Sequence, residues 1–562
     1  MTKPFKWFTF LFLFLPLLPS LGAAQDEPNP AAIRTILQER IDKNKKSVGI
    51  VVGVINSKGS QVIGYGKLSK ERSQEPDGNT VYEIGSITKV FTSILLQDMA
   101  EHGELSLTDP LSKHLPKSVK TPTKDGKEIT LLHLATHTSG LPRLPDNLDM
   151  KNADNPYVDY TVEQMYDFLS RYQLTRGIGE KYEYSNYGAG LLGHLLALKA
   201  GTDYETLVTK RICAPLKMSS TAIKLSPAMQ ARLAQGHNEV GRPASNWDIP
   251  TLAGAGALHS TATDMLLFIA ANLGFTKSVL TPVMQKTHAT QNSTGMANLE
   301  IALGWHILKK DGSEIVWHNG GTGGYRSFIG FDKNKGLGVV VLSNSTNDID
   351  DIGRHLLNPK FELAKLEPTK ERTAIKVDPK IYGAYVGNYE LTPSFVIAVT
   401  KEGEHIFAQA TGQPRFEIFP ESEIKFFLTV VDAQITFAKD DKGQVTNLIL
   451  HQNGIDQKAR KLGPEYQPPP PRKEVAVNPE ILKNYVGQYE LAPSFIFDVI
   501  VENNQLMVQL TGQPRFPVFA ESETKFFYKV VDAQLTFQKD GTGKVTSLIL
   551  HQGGIDQTAK KK

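Results

Sequence analysis

From Ile87 the apolar residues Ile87, Val90, Phe91, Ile94, Leu95 and Met99 recur three and four positions apart, the spacing of one face of an α-helix. Gly103 supplies a stop just beyond the last charged turn. A short extended run, Tyr82-Glu83-Ile84-Gly85, leads into this segment, so the pattern predicts a strand that turns at a glycine into an amphipathic helix. The same reasoning predicts helices over 31–43, from the capping box Thr161-Val162-Glu163-Gln164 to about Tyr172, over 191–200, and from Ser260-Thr261-Ala262-Thr263-Asp264 through Leu273. Runs rich in Val, Ile and aromatic residues predict a hairpin over 49–55 and 61–66, and three antiparallel strands over 314–318, 325–331 and 337–342. A helix over 350–357, stopped by Pro359, follows them. The order implies an α/β (α+β) fold: an antiparallel sheet flanked by helices, with a helical subdomain inserted between its strands.

Beyond this region the chain repeats itself. Residues 378–461 align without a gap on 478–561, with 50 of the 84 positions identical. Each copy carries Tyr-Val-Gly-x-Tyr-Glu-Leu (Tyr385, Tyr485), Thr-Gly-Gln-Pro-Arg-Phe (Thr411, Thr511) and Leu-Ile-Leu-His-Gln (Leu448, Leu548). Short strands with closely spaced turn signals predict a small all-β barrel or meander in each copy. The expected organisation is therefore a leader over 1–24, a mixed domain over 30–367, β-repeats over 378–462 and 478–562, and between them a stiff Pro-rich linker over 463–474.

Composition narrows the function classes. Lys plus Arg at 62 against Asp plus Glu at 59 leaves a net charge of +3, too balanced to argue for nucleic acid or an anionic membrane surface. The N-terminus has the form of a secretory signal: Lys3 and Lys6, an apolar run from Trp7 to Leu18 too short to span a bilayer, then Gly22-Ala23-Ala24. It predicts export to the periplasm or beyond the cell, with no transmembrane span once the signal is removed. Cys213, the single cysteine, rules out an intramolecular disulfide and reads as a small buried residue.

Ser86 stands at the head of the predicted helix with Lys89 one turn on, where free backbone N–H groups and the helix dipole favour developing negative charge. A serine hydroxyl needs a base, and a lysine amine serves when burial disfavours its charged form. Ser-x-x-Lys is a cheap pattern, recurring at Ser422/Lys425 and Ser522/Lys525 in Glu-Ser-Glu stretches that read as hairpin surface. Two further features single out the first copy: Tyr184-x-Asn186, and His318-x-Gly320 at the end of a predicted strand. Asn319 to Gly324 read as a glycine-rich link between strands, suited to close approach of a ligand to bare backbone and lacking the Lys-Ser/Thr of a phosphate loop. His133 and His137 have metal-ligand spacing on a helix but no glutamate or third ligand, so no metal site is expected there.

With Ser86-x-x-Lys89, Tyr184-x-Asn186, His318-x-Gly320, the run Leu134 to Pro142 (Leu-Ala-Thr-His-Thr-Ser-Gly-Leu-Pro) and Gly304-Trp305, the chain resembles the serine β-lactamase and penicillin-binding DD-peptidase superfamily, in its class C branch. The resemblance implies a catalytic set of Ser86, Lys89, Tyr184 and Asn186. Ser86 would be acylated, Lys89 and Tyr184 would handle the proton, and Asn186 would hold Lys89 and the substrate amide. It places the oxyanion hole at the backbone N–H groups of Ser86 and Gly321 and substrate binding at His318 and Gly320, and it implies no metal or organic cofactor. The third motif departs from the usual Lys-Thr-Gly: His318 is mostly neutral at pH 7 where lysine is charged, which weakens carboxylate anchoring; Arg326, on the neighbouring strand, is either a substrate-binding residue that replaces the charge or a surface arginine. The repeats resemble lipocalin-like domains that follow the catalytic domain in some relatives. The expected protein is an exported acyl-serine hydrolase for a small-molecule or peptide amide or ester (β-lactam, D-amino-acid peptide or ester). Two alternatives stand beside it: a penicillin-binding sensor that deacylates slowly, and a protein whose β-repeats carry a cell-wall, partner or oligomer contact.

Overall fold

The structure, a computed structural model, describes residues 28–562 apart from 149–151, 153, 175, 367, 369–371, 393–394, 412–414, 431–432, 453–454, 464, 467–473, 476, 493–494, 503–504, 511–515, 529–532 and 553–554. The signal segment and most of the Pro-rich linker lie outside the described residues. Among those described, no helix is long and apolar enough to cross a membrane.

An eight-stranded sheet forms the first domain, with its strands in the order 59–66, 49–56, 337–343, 326–332, 313–321, 306–310, 299–301 and 292–293. Strand alternation divides its two faces. Ile50, Val52 and Val54 join Ile33 and Leu37 of the first helix and Ile352 of Asp350–Leu357 on one side. Val51 and Ile55 face the larger core on the other, where helix Ala262–Leu273 packs. The predicted α+β architecture is the one observed.

Three local expectations are corrected. The helix after Ser86 spans Thr88–Glu101 and is buried at every position from Thr88 to Met99, so it runs through the middle of the domain and has no solvent face over that stretch. Its polar residues are buried with partners: Thr92 Oγ1 donates to Gly254 O at 2.8 Å, and Asp98 pairs with Arg211 at 2.9 Å. The helix expected over 191–200 starts earlier, at Asn186, with Ser185 as its N-cap. Gly188 and Gly190 hid that first turn because glycines are poor helix formers, and here Gly190 admits a neighbour: a Cβ on it would lie 2.6 Å from Leu252, as one on Gly193 would lie 2.7 Å from Gly254 Cα further along the helix. The glycine-rich link is shorter than expected, because the strand Ser313–Gly321 continues through both Gly320 and Gly321, paired with Ser327 and Arg326.

Each repeat is a closed barrel of eight antiparallel strands, its last strand returning to its first at Tyr389–Lys461 and Tyr489–Lys561. Aromatic rings fill the interiors, with Tyr385 stacked on Phe437 at 4.3 Å and Tyr485 on Phe537 at the same distance. The first barrel touches the mixed domain: Asn238 Nδ2 donates to Thr429 O at 3.0 Å, and the Arg242 guanidinium lies over Phe419 and Phe427 at 5.3 and 5.8 Å.

Candidate active site

Ser86 sits in a single 3₁₀ turn, Gly85–Ile87, between the short strand Val81–Glu83 and the buried helix. Gly85 has φ +49°, and a Cβ there would lie 2.8 Å from the backbone N of Gly321. The turn is thereby pressed against the end of strand Ser313–Gly321, which brings the backbone of Ser86 beside that of Gly321. Ser327 Oγ donates to Ile84 O at 2.8 Å and fixes the approach.

Lys89 Nζ forms hydrogen bonds with Ser86 Oγ at 2.9 Å and with the Ala255 carbonyl at 2.7 Å. The side chain is 2 % exposed, and burial, aided by the Arg143 charge, pushes its pKa well below the ordinary lysine value. Its second partner is thus the Ala255 carbonyl, where the sequence reading had assigned Asn186. Tyr184 packs over the same amine, its ring centroid 4.8 Å from Nζ. Burial pushes the phenol up to about 12; a hydrogen bond with Ser86 and the Arg143 guanidinium, 5.2 Å from the ring, oppose the rise. Asn186, at the first turn of its helix, meets the Tyr157 hydroxyl, and its Oδ1 has no hydrogen-bond partner among the described residues.

The third motif forms the opposite wall. His318 is 1 % exposed, and its Nδ1–H donates to Asn319 O at 2.6 Å, leaving Nε2 as a bare acceptor. Burial, with His306 and Lys89 nearby, pushes its pKa well below the ordinary histidine value. Gly320 is glycine because a Cβ would overlap Ile84 O, and a Cβ on Gly321 would overlap Nη1 of the Arg326 guanidinium, which stands beside that backbone. Arg326 therefore holds its charge beside Gly321 while His318 holds none. Asn319 Nδ2 donates to Asp350 Oδ2 at 2.6 Å; burial and Asp348 push that carboxyl up to about 7, against the pull of Arg354 and Arg326.

The cleft at Ser86 has a volume of about 30 Å³, walled by Tyr157, Trp247, Ile249 and Thr322 besides the motif residues. A larger cavity of about 870 Å³ shares Trp247 and Ile249 with it but reaches none of the motif residues. Sequence reasoning missed Tyr157, Trp247, Arg143 and the Ala255 carbonyl. Only Arg143 carried a signal, as the residue following Leu141-Pro142. His133 caps its own helix through Thr130, and His137 lies beyond the helix end, so the two do not share a helical face. Among the described residues no group of side chains could hold a metal ion. The other two Ser-x-x-Lys copies lie between barrel strands with Lys425 and Lys525 exposed.

A sheet flanked by helices, with Ser-x-x-Lys at the head of the buried central helix, defines a β-lactamase/transpeptidase-like fold. The chain belongs to the Beta-lactamase family, whose model matches residues 33–357. A domain of unknown function, DUF3471, matches 371–463 and 471–561. The chain is 30% identical over 345 residues to the D-alanyl-D-alanine-carboxypeptidase/endopeptidase AmpH of Escherichia coli, covering 58% of this chain and 87% of that one. It is 26% identical over 431 residues to penicillin-binding protein 4* of Bacillus subtilis, covering 70% and 90%. A solved β-lactamase/D-alanine carboxypeptidase from Yersinia pestis superposes with a TM-score of 0.53 at 27% identity, covering 60% of this chain and 99% of its own. The protein is a serine hydrolase of the β-lactamase and DD-carboxypeptidase kind.

Proposed function

We propose that the chain is an exported hydrolase, periplasmic or secreted, that cleaves an amide or ester through an acyl-Ser86 intermediate. The observation that carries this reading is the Lys89 amine, buried, 2.9 Å from Ser86 Oγ and held toward its neutral form. Lys89 takes the Ser86 proton as Oγ bonds to the substrate carbonyl carbon, and the carbonyl π pair moves onto oxygen. The N–H groups of Ser86 and Gly321 receive that oxyanion, each such donor being worth roughly 10²–10³ in rate. Collapse breaks the bond to the leaving group, which takes the proton of the neutral Tyr184 phenol; the Lys89 ammonium then returns a proton to Tyr184. Asn186 offers its unpartnered Oδ1 to a substrate amide N–H. Water completes the cycle by attacking the ester carbonyl carbon as the neutral Lys89 takes its proton; collapse breaks the bond to Ser86 Oγ, which takes that proton back from Lys89 as the acid is released.

Arg326, not His318, supplies the charge for a substrate carboxylate, so β-lactams and D-alanyl peptides, which carry one, rely on Arg326 while neutral esters do not. Incubation with a fluorescent penicillin, a D-alanyl peptide and a chromogenic ester tests the reading. Turnover lost in Ser86→Ala supports it; stable labelling without turnover points to a sensor, and neither labelling nor turnover refutes it. Arg326→Ala should raise KM about tenfold or more for the anionic substrates, the value of a lost charge-assisted bond, and leave the neutral ester unchanged.

A further inference from the structure

His137 has φ +56°, a left-handed backbone uncommon for residues other than Gly, and it is 2 % exposed. Its two polar ends hold the residues on either side of Tyr184. The His137 carbonyl accepts the Glu183 N–H at 2.7 Å, and the ring Nδ1 accepts the Ser185 N–H at 3.1 Å. Because Nδ1 accepts, the imidazole is neutral with its proton on Nε2. Between these two bonds the ring packs against the Tyr184 ring at 4.5 Å and meets Tyr182 edge-on at 5.8 Å. Ser185 is also the N-cap of the helix that carries Asn186, so the same imidazole fixes the start of that helix.

We infer that His137 is a positioning residue that aims the Tyr184 phenol at Ser86, through its carbonyl, its Nδ1 and the face of its ring. The inference rests on the reading of Tyr184 as the proton donor. Burial, with the Arg143 guanidinium adding to it, favours the neutral ring that this role needs, since an imidazolium would have no lone pair for Ser185. The left-handed backbone is what turns both the carbonyl and the ring toward residues 183–185.

The test separates ring from backbone. His137→Gly keeps the backbone conformation without strain but removes acceptor and ring; His137→Asn keeps the conformation and offers Oδ1 to Ser185. With the chromogenic ester, His137→Gly should lower kcat by about 10- to 100-fold, the penalty for a misplaced proton donor, while KM changes by less than about threefold. His137→Asn should recover most of that loss. In a Tyr184→Phe background, either substitution should cost less than about twofold more, because the group being aimed is already gone. Melting curves report whether each variant is folded; should the Gly variant not fold, His137→Ala, which also lacks the acceptor and the ring, takes its place in the cycle. Wild-type kcat in His137→Gly, or losses that simply multiply with Tyr184→Phe, would overturn the inference. Turnover that survives Ser86→Ala would instead remove the catalytic reading beneath it.

Discussion

Replacing Gly85 by alanine tests how tightly the nucleophile turn must sit against the third motif. At φ +49° the new side chain costs about 1 kcal/mol in backbone strain alone. Its Cβ would stand 2.8 Å from Gly321 N and 3.1 Å from Gly321 O, both main-chain atoms that cannot rotate away. Carbon is comfortable at about 3.5 Å, so the end of strand Ser313–Gly321 must retreat by roughly 0.7 Å. A displacement of that size moves one of the two oxyanion donors out of register with Ser86. A whole donor is worth roughly 10²–10³, and a shift near 1 Å about 10², so kcat should fall about 10- to 100-fold. Stability should fall by only about 1–3 kcal/mol, the usual range for an overpacked site. Steady-state kinetics with a chromogenic ester, normalised to folded protein by thermal melting, measure both. A Gly85→Ala protein with wild-type kcat would show that the contact between the turn and the strand does not set the oxyanion geometry, and the assignment of Gly321 would fall with it.

Glu83 should make stability pH-dependent. Burial raises its carboxyl to about 7, so the folded chain holds a proton that the unfolded chain releases near 4.5, and stability falls as pH rises through that window. Glu83→Gln should therefore gain about 3 kcal/mol relative to wild type on going from pH 5 to pH 8, read by urea unfolding; an equal difference at both pH values would refute the raised carboxyl. Lys89 sets the acid limb of activity: its depressed pKa keeps the amine neutral above that value, so kcat/KM should be lost as pH falls through it and be flat above it, and a rate that rises with acidity would contradict Lys89 as the base. Arg242→Ala should cost about 1 kcal/mol, because it removes the cation stacked over Phe419 and Phe427; an unchanged melting temperature would show that this contact contributes nothing. His451, bonded to Asp456 at 2.6 Å and Thr436 at 2.8 Å, belongs to the barrel, so His451→Ala should leave ester turnover unchanged, as rates of the purified variant will tell.

Much of this architecture is legible along the chain because its signals are local. The capping box at Thr161, the hairpin at 49–66 and the cap at Thr161's counterpart Thr261 each depend on residues within a few positions of one another, and each forms where its pattern stands. The barrels are legible for a different reason: two copies of one pattern, 50 of 84 positions identical, confirm each other's strands. What the chain hides is whatever depends on distant partners. The helix at Thr88 looks amphipathic, yet its polar face is buried against Tyr204, Gly254 and Arg211, contributed from more than 100 positions away. Likewise no local pattern brings the Ala255 carbonyl to Lys89 or Trp247 to the cleft wall. The Asn186 helix start was obscured by glycines, and the purpose of Gly190, room for Leu252, appears only in the packed molecule.

Burial links the chemistry of this site to its selectivity. The same exclusion of water that keeps Lys89 neutral beside Ser86 also removes charge from His318, His306 and His137, all pushed toward their neutral forms in one pocket. A lysine in the place of His318 would add a second amine to that enclosure, and either it or Lys89 would have to give up its proton. With histidine there, the proposed base has no competing cation, and on the same proposal the recognition of anions falls to Arg326, on the neighbouring strand and partly in solvent. On the proposed reading, such a site would accelerate acyl transfer whether or not the substrate carries a carboxylate, and would use the carboxylate only where Arg326 can reach it. The dependence of neutral and anionic substrates on Arg326 is accordingly the measurement that separates a general acyl hydrolase from one built for D-alanyl or β-lactam carboxylates.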